Sequence, residues 1–254
     1  MSEALDRARD ALRTRLASRL SGAACEWLDA AGGEIARDPA ALFRFFPAAG
    51  RKLGRGPLLE PAAAHAVRLF PAAGPLLNPW QVEEAGRVLL LLESERGVDQ
   101  AKDLYDHGSG GERVAVLRGL QLFLESVAGL PCVRDALRAN AVDLFAAAIC
   151  ENLYASRHLP DASFFQAVLK CVFVGLRVDR VENIEERCTP ELSRMLFAYA
   201  TEREQAGRPI AAEIWPLIAL HPPARARERI AALLGDATGD ERRLLEVALA
   251  RAER

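Results

Sequence analysis

Lysine is almost missing from this sequence: among 33 basic residues only Lys52, Lys102 and Lys170 are lysines, and the rest are arginines. Acidic residues nearly cancel them, leaving a formal net charge of −2 at pH 7. There is therefore no global positive field of the kind that draws a protein onto nucleic acid or an anionic membrane, and any electrostatic site must be local. Also missing is an uncharged apolar run near the roughly eighteen residues that span a bilayer, so no integral membrane protein is expected. Glu3, Asp6 and Asp10 come before any apolar run, the wrong order for a secretory signal, and the expected location is cytoplasmic. The five cysteines are odd in number and scattered, which argues against a disulfide framework or a zinc knuckle and suits small buried hydrophobes. His65, His107, His158 and His221 stand at no metal-ligand spacing, and neither HExxH nor GxSxG occurs, so no metal, cofactor or catalytic set is expected.

Strand-like alternation is absent as well, and what is present is helical. Half of the 254 residues are hydrophobic, enough for a sizeable core. Leu5, Ala8, Leu12, Leu16 and Leu20 recur at three- and four-residue spacing within a helical pattern over residues 2–31, and a short helix begins near Pro39. Glycine and proline then interrupt the chain over 51–80. Helices are expected at about 80–96, 98–106, 111–127, 131–149, 161–174, 190–206, 210–220, 224–235 and 239–252. Caps are legible: Thr189 before Pro190 and Glu191 opens one helix, and Gly207 with Pro209 closes it. Short connections between amphipathic helices predict an all-α fold, an irregular α-solenoid-like stack of antiparallel hairpins of the HEAT/armadillo kind, in a single domain over 1–254 without a fixed repeat period.

Several polar residues interrupt apolar faces. In "QAVLKCVFVGLR" Lys170 sits among Phe164, Phe165, Val168, Leu169, Val172 and Phe173, which fill most of the helix circumference and leave it a narrow face shared with Gln166 and Gly175. Either that face meets water, with the lysine stem lying on apolar surface, or it lines a pocket and needs an anion. Asn140 falls on the stripe Val133, Leu137, Leu144 and Ala148, where a buried amide needs partners. Glu202 and Arg203 extend the stripe that runs through Tyr199. Lys170, Gln166, Asn140, Tyr199 and Arg203 lie on adjacent helices, where they could converge. In "AAGRKLGRGPL", Arg51, Lys52 and Arg55 alternate with glycines, a combination suited to phosphate or carboxylate, although it lacks the spacing of a P-loop and is equally a solvated basic loop.

The order of the segments "FPAAGRKLGRGPL", "WQVEEAGRVLLLL", "LYDHGSGGERVAVLRGL", "VRDALRANAVDLFAAAICENLYASRHL", "FFQAVLKCVFVGL" and "RCTPELSRMLFAYATEREQAGRPIAAEIW" resembles the EboA family of bacterial metabolite-traffic proteins, from about Phe46 to Trp215. The positions that look like the family's motif are Arg51 and Lys52, Tyr105, Arg118, Arg138 with Asn140, Asn152 with Tyr154, Gln166 with Lys170, and Glu191, Met195, Tyr199, Glu202 and Arg203. "NLYAS" stands where the family reads asparagine-proline-tyrosine-proline, which marks a divergent member. The resemblance implies a helical protein encoded with a prenyltransferase-like membrane protein and metal-dependent enzyme homologues, in clusters that move or process a secondary-metabolite precursor.

Three functions follow from these readings. The first is a non-enzymatic adaptor whose groove, with Lys170, Gln166, Asn140, Tyr199, Glu202, Arg203 and the Arg51–Lys52 loop, holds an anionic precursor or docks proteins of its cluster. The second is an enzyme using Lys170 as a base or Schiff-base nucleophile near Tyr199 and Glu202. The third is an interaction scaffold with no pocket.

Overall fold

The segment VEEAGRVLLLLE offers water no continuous polar face, and a helix apolar around its circumference has to be enclosed by others. A computed structural model, which describes residues 3–59 and 80–253, places it as α4 (Val82–Glu93), buried at Val82 and at every position from Glu84 to Leu92. The described residues hold fourteen α-helices and no strand, so the fold is all-α. By their contacts they fall into two units, Met1–His158 and Leu159–Arg254. The glycine- and proline-rich stretch expected to be irregular, with His65, lies outside the described residues over 60–79.

In the first unit α1 (Glu3–Ala17), α2 (Gly22–Arg37) and α3 (Leu42–Lys52) all pack on α4. The rest is a two-layer succession. α4, α6 (Gly110–Leu120) and α8 (Val142–Ile149) form one row, each against the next, while α5 (Gly97–His107) and α7 (Leu130–Ala136) pair beside it and α9 (Leu153–His158) closes on α7 and α8.

Several expected helices are shorter or divided, that over 210–220 being a 3-10 turn, Ala212–Ile214, followed by a four-residue helix, Trp215–Ile218. Residues 2–31 are split because Ser21 caps a new helix, accepting a hydrogen bond from the Ala24 amide. The helix expected over 111–127 ends at Leu120, whose side chain fills the space beside Gly129; a Cβ on that glycine would stand 2.2 Å from the leucine. The helix expected over 131–149 is broken at 137–141. There the Arg138 and Ala139 amides bond back only three residues, to Asp135 and Ala136, and Asn140 forms an exposed bend. Asn140 therefore interrupts no buried stripe. Only Gly108 and Ser109 separate α5 from α6; Gly110 and Gly111, expected in a turn before the helix, are its first residues, and a Ser109–Glu112 capping box closes its start.

The amide that does join helices is Asn152, 1 % exposed. Its Nδ2 donates to the Leu117 carbonyl of α6 at 3.1 Å and to the Ala147 carbonyl of α8 at 2.9 Å, and its Oδ1 accepts from the Tyr154 and Ala155 amides at the start of α9. All of its capacity is used, and three helices meet at one side chain.

The second unit comprises α10 (Asp161–Phe173), α11 (Pro190–Gln205), α12 (Trp215–Ile218), α13 (Ala226–Leu234) and α14 (Gly239–Ala252). The four residues of α12 are all buried, between α11 and α14. Ser193 on α11 donates to the Leu217 carbonyl at 3.1 Å, and Arg251 on α14 donates to the Pro216 carbonyl at 3.2 Å. α11 opens as the sequence indicates: Thr189 accepts from the Leu192 amide and Pro190 takes the first turn.

Replacing Asn152 with alanine strips partners from two buried carbonyls and two amides, and by the cost of orphaned buried groups should destabilise the protein by about 3 kcal/mol. Urea denaturation of the variant against wild type measures this, and a loss below about 1 kcal/mol contradicts a joining role.

Candidate functional site

α10 turns Phe164, Phe165, Ala167, Val168, Cys171 and Val172 inward. That leaves Leu169, Lys170 and Phe173 along one side. On α11 the buried stripe is Leu192, Ser193, Leu196 and Ala200, and the opposite stripe, at spacings of three and four, is Met195, Ala198, Tyr199 and Glu202. These two sets line an open groove of about 480 Å³. Lys170 is half-buried on its wall, in the last turn of α10, where a cation is favoured by the helix dipole. Phe173, expected on the apolar circumference, is 74 % exposed at the same groove. Lys170 thus shares its face with Leu169 and Phe173 as well as with water.

Of the residues singled out in the sequence, the groove brings together Lys170, Tyr199 and Glu202. Gln166 is exposed on α10 and is not among its lining residues. Arg203 is engaged elsewhere: its Nε and Nη2 donate to the Pro209 carbonyl at 3.1 and 3.0 Å, fastening the turn at Gly207, whose φ of +64° suits glycine. Asn140 lies in the first unit on its exposed bend. Arg51 and Lys52 also belong to the first unit, and they are not in a loop but in the last turn of α3, exposed, where their charges complement the helix dipole. A helix C-terminus presents carbonyls, so the backbone beside Arg51 and Lys52 offers acceptors where an anion needs donors.

A second charged cluster, not foreseen as one, is buried in the first unit. Glu84 on α4 accepts from the Gln81 amide at 2.9 Å, capping its own helix, and pairs with Arg118 of α6, which also lies over the Trp80 ring. Arg87, one turn on, donates to the Phe46 carbonyl of α3 at 3.2 Å and stands 4.0 Å from the Glu112 carboxylate. Gly50 makes room for it, since a Cβ there would meet the guanidinium at 2.8 Å. Burial pushes the Glu84 carboxyl above its ordinary value, more strongly than Arg118 and the Gln81 amide pull it down. Burial likewise lowers Arg87, against the opposing pull of Glu112. The signal in the sequence is two opposite charges three residues apart inside a helix with no exposed face. Its contacts between helices join α3 and α6 to α4, so the cluster acts as a fastening.

A sequence model of one family, described as Metabolite traffic protein EboA, matches residues 8–219. This chain belongs to the EboA family. The match extends the 46–215 resemblance back into α1 and forward past α12, and it takes in the whole groove. No curated protein and no solved structure matches the chain. Eight of the positions that look like the EboA motif fall into two groups here. Arg118, Asn152, Tyr154, whose hydroxyl accepts from the Gly129 amide, and Tyr105, whose hydroxyl donates to Asp135, hold the first unit together. Lys170, Met195, Tyr199 and Glu202 face the groove. Among the described residues no helix is long and apolar enough to cross a membrane, and no three His, Cys, Asp or Glu are grouped to hold a metal ion.

The raised Glu84 carboxyl means that the folded chain keeps this proton at a pH where the unfolded chain has lost it. Its share of stability is full below the unfolded value and is lost as pH climbs through the folded one. Arg118→Leu leaves that carboxylate without its cation and should cost about 3–5 kcal/mol at pH 7. Urea titrations at pH 7 and at a lower pH should show a smaller deficit at the lower one, where more of Glu84 is protonated, and adding Glu84→Gln should recover most of it. A deficit that is equal at both pH values contradicts the pairing.

Proposed function

We propose that this EboA-family chain is a non-enzymatic metabolite-traffic protein that holds a cargo with an apolar body and an anionic group in the groove between α10 and α11. Carrying the reading is one observation: Lys170 lines the same open groove as Leu169, Phe173, Met195 and Ala198. Apolar cargo surface set against these four side chains is removed from water, at about 25 cal/mol per Å². The lysine ammonium and the Tyr199 hydroxyl supply donors for one anionic group, and a charge-assisted hydrogen bond contributes about 1.5–3 kcal/mol. Glu202, on the same wall as Tyr199, disfavours a second negative charge nearby and so selects for cargo with a single anionic end.

Decyl phosphate and decanol separate the two contributions. Calorimetric titration should show the phosphate binding more tightly than the alcohol, Lys170→Gln reducing phosphate affinity by about 10–100-fold with little effect on the alcohol, and Phe173→Ser weakening both. Failure of decyl phosphate to bind, or binding indifferent to Lys170, removes the reading.

An enzyme using Lys170 as a Schiff-base nucleophile needs that amine desolvated or beside another cation. This groove is open to water and carries a carboxylate instead. Borohydride reduction in the presence of a simple aldehyde such as decanal should leave Lys170 unmodified beyond the level of Lys52 and Lys102, as read by peptide mass spectrometry.

A further inference from the structure

A site that retains a small molecule usually covers most of its surface. This groove does not: it is open along both helices, and Phe173 turns 74 % of its surface to water beside Leu169, Met195 and Ala198. An exposed aromatic set among other apolar side chains is the kind of surface that association covers. Its charges indicate by what. They are of both signs and lie on different walls, Lys170 on α10 and Glu202 on α11. In a two-fold pairing each contact is made twice, the first residue of one copy against the second of the other and the reverse. A surface with a cation on one wall, a carboxylate on the other and apolar side chains among them is complementary to itself under that rotation. A groove with charges of one sign would repel its own copy.

We propose that the groove is covered by a second copy of this chain, packed about a two-fold axis, with Phe173 of each copy lying across the mouth of the other's groove and Lys170 of each facing Glu202 of the other. This rests on the groove being a binding surface, and it names the partner that closes it: two grooves turned toward each other enclose cargo that one alone leaves wet.

The test uses the full chain in analytical ultracentrifugation. Wild type should be dimeric at tens of micromolar, and Phe173→Ser should weaken the dimer about ten-fold or more. Lys170→Glu makes both charged positions acidic, and Glu202→Lys makes both basic, so each variant alone should be monomeric. Mixed one to one they should form a heterodimer, because both crossed contacts are then attractive; an ion pair confined to one copy gives no such rescue. That rescue also shows that both variants are folded. A wild type that stays monomeric at several hundred micromolar overturns the proposal, as does a dimer that all three substitutions leave intact. A monomer that still binds decyl phosphate sinks the dimer and spares the cargo reading, whereas a groove-dependent dimer that binds no phosphate does the reverse.

Discussion

The enclosure of α4 is the constraint on which the first unit depends. Ten of the twelve residues of this helix are buried, so it has no stable place until α1, α2, α3, α5 and α6 surround it. That burial also sets the terms for its charges. Glu84 and Arg87 are largely shut off from bulk water, and each is paired and hydrogen-bonded: Glu84 with the α4 N-terminus and Arg118, Arg87 with the Phe46 carbonyl of α3 and Glu112. Buried ion pairs seldom add much to net stability, but they penalise every arrangement in which the partners are separated. Here they fix which faces of α3 and α6 meet α4, where aliphatic packing alone would tolerate sliding.

The second unit is built on a different principle. Two of its long helices, α10 and α11, are amphipathic, and α11 gives its buried stripe to the small helix α12. The stripe opposite on α11, with the free side of α10, is left as the groove. A helix satisfied on one side only leaves a surface available for binding, and α11 is such a helix.

Much of the fold was legible because it rests on periodicity and caps. α4, α11 and α14 stand within a few residues of their expected bounds, and Thr189, Pro190 and Gly207 act as their residue types indicate. The breaks at 121–129 and 137–141 were not legible, because periodicity carries neither a contact with a later residue nor a local change of hydrogen-bond register: Leu120 is seated at Gly129, and the Arg138 and Ala139 amides shift to three-residue bonds. That shift also explains the exchange of roles between two asparagines. Asn140 lies on a stripe only if the helix continues through it, whereas Asn152 stands just after a helix end, where periodicity assigns no face at all. Lys170, Tyr199 and Glu202 could be grouped from sequence because each was set against its own helix. Arg51 and Lys52 could not be placed, since a basic residue near glycine reads alike whether it ends a helix or lines a loop, and Arg203 could not because its partner, the Pro209 carbonyl, lies beyond the helix end where periodicity stops.

The clamp between Arg203 and the Pro209 carbonyl has a kinetic meaning. Helix ends ordinarily fray, and a wall that must first wind itself up charges every encounter an ordering entropy. Because α11 is fastened one residue beyond Glu202, that end of the groove is preorganised, and whatever settles there meets a template already in its bound shape.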